Sequence, residues 1–436
     1  MRNLKTLSSL ILLISVGTIC PASDSKDLAR ENAELRQKLD QIDKELEGLK
    51  QTVSQQNGAA TDVVPKLVWS NLDIQLYGYL KLDAAYDTSR IENGNYAQWV
   101  ESESLNDDDD QFNMTANETR LGMLLNGPDN GQMKTSGRVE VDFYGGSNEN
   151  KAHLMMRHAY MKLDWPEDRF NIIAGQTSDV ISPLLPPTVN YSVGWWTGNI
   201  GYRRPQFRLT KELGFEAGGF LKLEGALART IGRDSITDTD SGEDAGFPTF
   251  QGRASVTHAM FGEQEATIGL SGHWGEEEYD IATSGKDKEF KTWSVNLDYT
   301  QPICSKVQIK AELFTGENLN AYLGGIGQGV TIAPGLNQYE EVGSQGGWIA
   351  AGLGPWDKKR FNVGVAMDDV ERSNVNPHSD VNPDGRTLNR SVFGNMFYTL
   401  NNNTEWAFEL SHWRTEYRGS GDGESLRAQM ALIYKF

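Results

Sequence analysis

The sequence predicts an all-β fold: a 16-stranded antiparallel transmembrane β-barrel, preceded by an α-helical coiled coil. Three observations point there. From Ile74 onward, apolar and polar residues alternate with a period of two. The connections between these segments alternate between long and short. The last strand ends in an aromatic residue, Phe436, on its apolar face. A strand placed in lipid must satisfy its backbone on neighbouring strands, so only a closed barrel of strands can cross.

The amino terminus has its own signals. Met1 to Lys5 carry positive charge, Leu10 to Val16 are apolar, and small residues lead to Ala22. That is the order of a secretory signal peptide over 1–22, with cleavage expected after Ala22. Lipid attachment at Cys20 is disfavoured because Ile19 stands where that processing needs a small residue. The cleaved chain would keep one cysteine, Cys304, which leaves no partner for an internal disulfide or a cysteine zinc site. No later segment reaches the roughly 20 apolar residues that a membrane helix needs.

Over 27–53, Leu28, Leu35, Ile42 and Leu49 recur every seven residues, and Asn32, Leu39, Leu46 and Val53 form the second series. This is a coiled-coil seam, which buries itself against copies of the same helix, with Asn32 fixing register. The alternative is one helix packed on its own barrel. Residues 54–72 read as a linker, being rich in Gln, Asn, Gly and Ala over 54–61.

The barrel is expected over 73–436. Strand starts fall near Ile74, Thr119, Lys134, Leu154, Arg169, Gln206, Phe220, Phe250, Gln264, Phe290, Lys306, Gly347, Arg360, Arg386, Thr404 and Leu426. In Thr292–Thr300, Trp293, Val295, Leu297 and Tyr299 take one face and Thr292, Ser294, Asn296 and Asp298 the other. Long connections follow odd strands: 88–118, 145–153, 176–205, 231–249, 281–289, 318–346, 371–385 and 419–425. Short turns follow even ones. An even strand number with short turns at one end and long loops at the other is the outer-membrane arrangement. Trp165, Phe170, Phe261, Tyr299, Trp356, Phe361 and Trp406 cluster beside the short turns, where an aromatic girdle belongs.

Composition agrees. A mean hydropathy of −0.51 is low for a large dry core, whereas a barrel meets lipid outside and water inside. The net charge of −19 argues against nucleic acid as a partner.

Sixteen strands enclose a lumen wide enough for water, so selectivity depends on what narrows it. Connection 176–205 carries Pro183, Leu184, Leu185, Pro186 and Pro187, then Tyr191, Trp195 and Trp196. That content suits a loop folded against the inner wall, or else a lid between subunits. From Val180 to Lys211 there is no Asp or Glu, although 60 acids in 436 residues would put about four in such a stretch. The same stretch holds Arg203, Arg204, Arg208 and Lys211. Cations beside a constriction attract anions, and an arginine fork matches carboxylate or phosphate. Alternation points Arg208 inward, with Arg138, Lys222, Arg253 and Lys310. Arg157 is ambiguous, because Ala159, Met161 and Leu163 share its parity. The competing account is that these cations only balance inward acids such as Glu140, Asp142, Glu224 and Glu312.

Other chemistry finds little support. The acid-rich stretches Asp107–Asp110 and Asp238–Asp244 lack an ordered calcium loop. There is no H-E-x-x-H, G-x-S-x-G or phosphate loop, and Gly324–Gly329 lacks the G-x-G-x-x-G spacing. A channel needs no cofactor and no catalytic residue. Two rival readings are a carbohydrate channel, with Tyr191, Trp195, Trp196 and Tyr202 stacking on sugars, and a structural tether.

The chain resembles the DcaP-like trimeric outer-membrane porins. The resemblance rests on the segment 27–53, the entry strand Asp73-Ile74-Gln75-Leu76-Tyr77-Gly78-Tyr79, and Thr119-Arg120-Leu121-Gly122. It also rests on Arg157-His158-Ala159-Tyr160-Met161-Lys162-Leu163, Ala174-Gly175-Gln176-Thr177 ahead of the long loop, and terminal Phe436. It implies a homotrimer of barrels in outer-membrane lipid and lipopolysaccharide, with the coiled coil in the periplasm. It also implies passage of small anions such as dicarboxylates, and an Arg157 that faces the constriction.

Overall fold

A computed structural model describes residues 73–436 apart from 107, 128–130, 147–151, 217, 233–241, 261–263, 282–285, 333–338 and 378–383. The signal peptide, the coiled coil and the linker expected over 1–22, 27–53 and 54–72 lie outside the described residues.

The described chain closes into a barrel of sixteen antiparallel strands. In order they are β1 (Asp73–Asp87), β2 (Gln111–Thr115 continued by Arg120–Asn126), β3 (Lys134–Asp142), β4 (Met155–Trp165), β5 (Phe170–Ser178) and β6 (Arg203–Gly214). Next come β7 (Phe220–Ala228), β8 (Thr249–Ala259), β9 (Glu265–Ile281), β10 (Lys286–Cys304) and β11 (Val307–Glu317). The last five are β12 (Gly343–Trp356), β13 (Lys359–Val370), β14 (Arg386–Asn401), β15 (Thr404–Tyr417) and β16 (Gly423–Lys435). Each strand pairs with its sequence neighbours, and β16 returns to β1 with Leu82 opposite Leu432 and Asp87 opposite Arg427. The two segments of β2 pair with the two halves of β1. A two-stranded ribbon, Val330–Ile332 with Tyr339–Glu341, lies outside the barrel sheet.

The burial pattern is inverted relative to a water-soluble protein. In β10, Thr292, Ser294, Asn296 and Asp298 are buried, while Val295 and Leu297 stand exposed. In β16, Ser425, Arg427 and Gln429 are buried, and Leu426, Met430, Leu432 and Tyr434 are exposed. An outward apolar face and an inward polar face are what a barrel in lipid requires. The apolar clusters inside belong largely to loops, as with Ile181, Ile200, Leu319, Ala321 and Tyr322 around Phe314 of β11.

The long-then-short rhythm holds, with corrections to its bounds. The first long connection, expected over 88–118, ends at 110, because Gln111–Thr115 already pairs with β1. The connection expected over 281–289 shrinks to 282–285, because β9 and β10 run on as a paired hairpin to Ile281 opposite Lys286. Likewise β6 begins at Arg203, so Arg203 and Arg204 are strand residues rather than the end of the loop.

Tyr77, Gly122 and Glu140 sit side by side on β1, β2 and β3. Without a side chain at Gly122, the Tyr77 ring lies across it, and the Tyr77 hydroxyl donates to Glu140 at 2.7 Å. A Cβ at Gly122 would meet that ring at 2.3 Å. Overpacking of this kind costs about 1–3 kcal/mol. Gly122→Val is therefore expected to lower the temperature at which the folded barrel loses its compact migration in detergent gels. Gly225→Val, where nothing lies within 4 Å of the added Cβ, is expected to leave that temperature unchanged.

Candidate functional site

The connection between β5 and β6 folds into the barrel and follows the inner wall. Val180 donates its backbone N–H to Gln251 of β8 at 2.8 Å, and Leu184 to Glu312 of β11 at 2.8 Å. Asn395 of β14 donates to the Pro187 carbonyl at 2.7 Å. Glu409 of β15 accepts from the Val189 N–H and the Thr188 hydroxyl, both at 2.7 Å. Lys81 of β1 reaches the Val189 carbonyl at 3.0 Å. At its base the loop is closed by the Asp179 N–H donating to the Tyr202 carbonyl at 2.9 Å.

Two features let the loop lie so close. Pro183, Pro186 and Pro187 carry no N–H that would need an acceptor. Gly198, at φ +111°, presses its backbone on the wall: a Cβ there would stand 2.3 Å from the Gly347 carbonyl oxygen. A second connection also turns inward, over 318–328, and meets the first, with the Trp196 N–H donating to Leu323 and Gly201 to Tyr322, both at 2.8 Å.

The acid-free window of the sequence is not acid-free in space. Asp179 stands one residue before it, and Glu312 and Glu409 are brought to it from distant strands. Glu312 accepts from Leu184 and from the Trp348 indole at 3.0 Å; Glu409 accepts from loop groups and Asn395. Among the described residues neither has a cation within ion-pair distance. Both act as backbone acceptors that hold the loop.

The predicted cations divide into paired and unpaired. Arg157 donates to Glu140 at 2.9 Å and Asp142 at 2.6 Å. Its ambiguity is removed by a β-bulge: the register shifts between Glu140 and Val141, so Arg157 and His158 both turn inward. Arg138 shares Glu140 at 2.5 Å, and its Nε donates to the Tyr77 hydroxyl at 2.6 Å. Arg120, which alternation did not single out, lies 3.6 Å from Glu140. Tyr191 of the inward loop donates to Asp142 at 3.1 Å. Burial and the Asp142 carboxylate push the Tyr191 hydroxyl well above its ordinary value, so it remains a donor.

Arg253 grips Asp298 with two bonds, of 2.9 and 2.7 Å, and Glu224 at 3.1 Å, where Lys222 also pairs at 3.1 Å. Arg204 is locked: its Nε is 2.8 Å from Asp179, it donates to the Ala321 carbonyl at 3.1 Å, and it stacks on Tyr322. Its role is to join the two inward loops, which is a correction to its place among the solute-facing cations.

Arg208 and Arg203 differ from these. Arg208 is half-buried and donates to the Gln206 side chain at 2.9 Å and to the Ser178 carbonyl, both neutral. Arg203 is buried between the rings of Trp195 and Tyr202. Among the described residues neither has a carboxylate within ion-pair distance. The wall from β2 to β8 thus carries more positive than negative charge. Tyr191, Trp195 and Trp196 are buried and pack on one another with Tyr96 and Tyr144, rather than forming a row along the lumen. No cluster of His, Cys, Asp and Glu among the described residues is arranged to hold a metal.

No family model matches the sequence, and neither does any curated protein. Solved structures do match. The outer membrane channel DcaP of Acinetobacter baumannii has 20% identity and a TM-score of 0.67, over 84% of this chain and 97% of that one. The anion-selective porin from Comamonas acidovorans has 11% identity and a TM-score of 0.54, over 84% and 100%. Salmonella typhi OmpF, in complex with daunomycin, has 13% identity and a TM-score of 0.52, over 83% and 97%. These likenesses are of fold: the chain has the porin barrel, and DcaP, toward which the sequence motifs point, has the same architecture.

Removing one buried acceptor leaves several donors unpaired, at about 1–3 kcal/mol each. Glu409→Ala is therefore expected to loosen the apex of the loop, seen as a larger and noisier single-channel conductance. Glu409→Gln keeps a carbonyl oxygen for Val189 and is expected to stay close to the parent. Identical traces from Glu409→Ala and the parent would remove Glu409 as an anchor.

Proposed function

We propose that this chain is an outer-membrane porin through which small anionic solutes of the dicarboxylate type diffuse passively. Its active form would be a homotrimer set in outer-membrane lipid and lipopolysaccharide, with the 27–53 segment joining the subunits on the periplasmic side. The observation that carries the reading is the contrast on the inner wall. Arg138, Arg157, Lys222 and Arg253 have carboxylates, whereas Arg203 and Arg208 have none among the described residues. The inward loop faces them with neutral groups, since no Asp or Glu lies between 180 and 202 and Asp179 at its base is paired with Arg204. A charge lining a narrow aqueous path favours the opposite ion and repels its own sign. The likeness in fold to an anion-selective porin and to DcaP supports the reading. The loop 179–202 would then be the constriction.

The purified full-length protein in a planar bilayer under a KCl gradient is expected to give three equal conductance steps and a reversal potential directed by chloride. Arg208→Ala is expected to reduce the anion preference by up to about fivefold, the effect of one unit charge acting through water at about 4 Å. A reversal potential directed by potassium would overturn the anion reading. A silent protein would favour the structural tether.

A further inference from the structure

The first long connection is not a surface arch. Of residues 91–100, only Glu92, Asn93, Tyr96 and Trp99 keep partial exposure, and the rest are buried. Ile91, Ala97 and Val100 pack on Trp413 of β15. Arg386 of β14 stands 4.2 Å over the Trp99 ring. Connecting segments ordinarily run over the surface, where water meets their backbone, so this one is bound inside for a reason.

Its anchors lie on the same strands as those of loop 179–202, each time nearer the long-loop end. On β14 it is held at Asn389, and the loop at Asn395. On β15 it is held at Thr415 and Tyr417, which bond the Val100 N–H and carbonyl at 2.9 and 2.6 Å, and the loop at Glu409. On β16 it is held at Arg427, which reaches the Gly94 carbonyl, and the loop at Gln429. Residues 94–100 therefore form a layer over the loop, on the side from which the long connections rise.

Two asparagines sew the layers together. Asn190 of the loop and Ala97 bond both ways: the Ala97 N–H donates to the side-chain oxygen at 3.0 Å, and the side-chain amide donates to the Ala97 carbonyl at 3.2 Å. Asn389 is fully buried. Its amide donates to the Gln98 carbonyl of the upper layer at 2.7 Å and to the Trp196 carbonyl of the lower one at 2.8 Å. Its oxygen accepts at 3.0 Å from the Thr415 hydroxyl, which also holds Val100. An asparagine side chain offers two N–H donors and one acceptor oxygen, and here they tie two loops to the wall. Trp196 stands at φ +63°, a conformation that bulky residues avoid. Leu323 at its N–H and Asn389 at its carbonyl keep it there.

We propose that residues 94–100 form a second, outer constriction, and that Asn389 is the positioning residue that sets its width by pinning it onto loop 179–202. The inference rests on the channel reading and goes beyond it. Solutes arriving from the long-loop side would be sieved by size in this layer before they meet the loop.

Polymer exclusion in planar bilayers in KCl tests this on the full-length protein. Polyethylene glycols of graded size are added to one side at a time, and the largest that still lowers the conductance is read for each side. The parent is expected to show a smaller limit on one side than on the other. Asn389→Ala is expected to remove that difference. It is also expected to raise the share of time spent in a higher-conductance level about tenfold, the effect of leaving buried carbonyls without their donor. Asn190→Ala breaks the reciprocal pair with Ala97 and leaves Asn389 in place; it is expected to move both readings the same way, which separates loss of pinning from damage peculiar to one position. Equal limits from the two sides of the parent would overturn the outer constriction and leave the channel reading standing. So would an unchanged difference in either variant. A parent that conducts nothing would overturn the channel reading, and this inference with it.

Discussion

A strand surrounded by hydrocarbon has no water to bond its backbone, so every N–H and C=O must be met by a neighbouring strand. That constraint sets the rest of this molecule. It makes the strand order circular, with β16 returned to β1. It sends Leu426, Met430, Leu432 and Tyr434 outward and Ser425, Arg427 and Gln429 inward. Because the wall is closed, its polar interior can receive chain from the loops, and 179–202 and 318–328 both turn into it. Those loops carry backbone donors away from bulk water, which explains why Glu312 and Glu409 are held there without cations.

The inner wall shows two uses of charge. Where Arg157, Arg138 and Arg120 converge on Glu140, and Arg253 and Lys222 on Glu224, charges fix geometry. The proximity of opposite charges in a partly buried place makes these strong local ties, and breaking one partner would leave the other exposed to the cost of burial. Arg203 and Arg208 lack such partners among the described residues, Arg203 being enclosed by Trp195 and Tyr202 and Arg208 only half-buried. The Arg204–Asp179 pair, one residue from Arg203, belongs to the first kind, so of two consecutive arginines one has a carboxylate and the other has none among the described residues.

Much of this was legible in the sequence. The sixteen strands could be counted because a period of two is a property of neighbours along the chain: each apolar residue of Thr292–Thr300 predicts its own side. The inward loop was legible from its composition, since Pro186, Pro187, Trp195 and Trp196 make a poor solvated surface. What depends on other strands was not legible. The side of Arg157 is set by a bulge against β3, which leaves no mark in β4 itself. The partner of Arg204 was masked because Asp179 lies just before the stretch read as free of acids. Glu312 was placed inward by alternation, but its task as an acceptor for Leu184 depends on where a loop 128 residues away in sequence comes to rest. Glu409 was visible only as a polar residue in an alternating strand.

The fold of 179–202 also decides what meets the outside world. A segment tied to β8, β11, β14, β15 and β1 presents no free arch to anything arriving from the long-loop end. An antibody raised against a peptide covering Leu184 to Asn190 would recognise the denatured chain and pass over the intact barrel. An epitope tag or protease site meant for surface display would have to be placed in another connection.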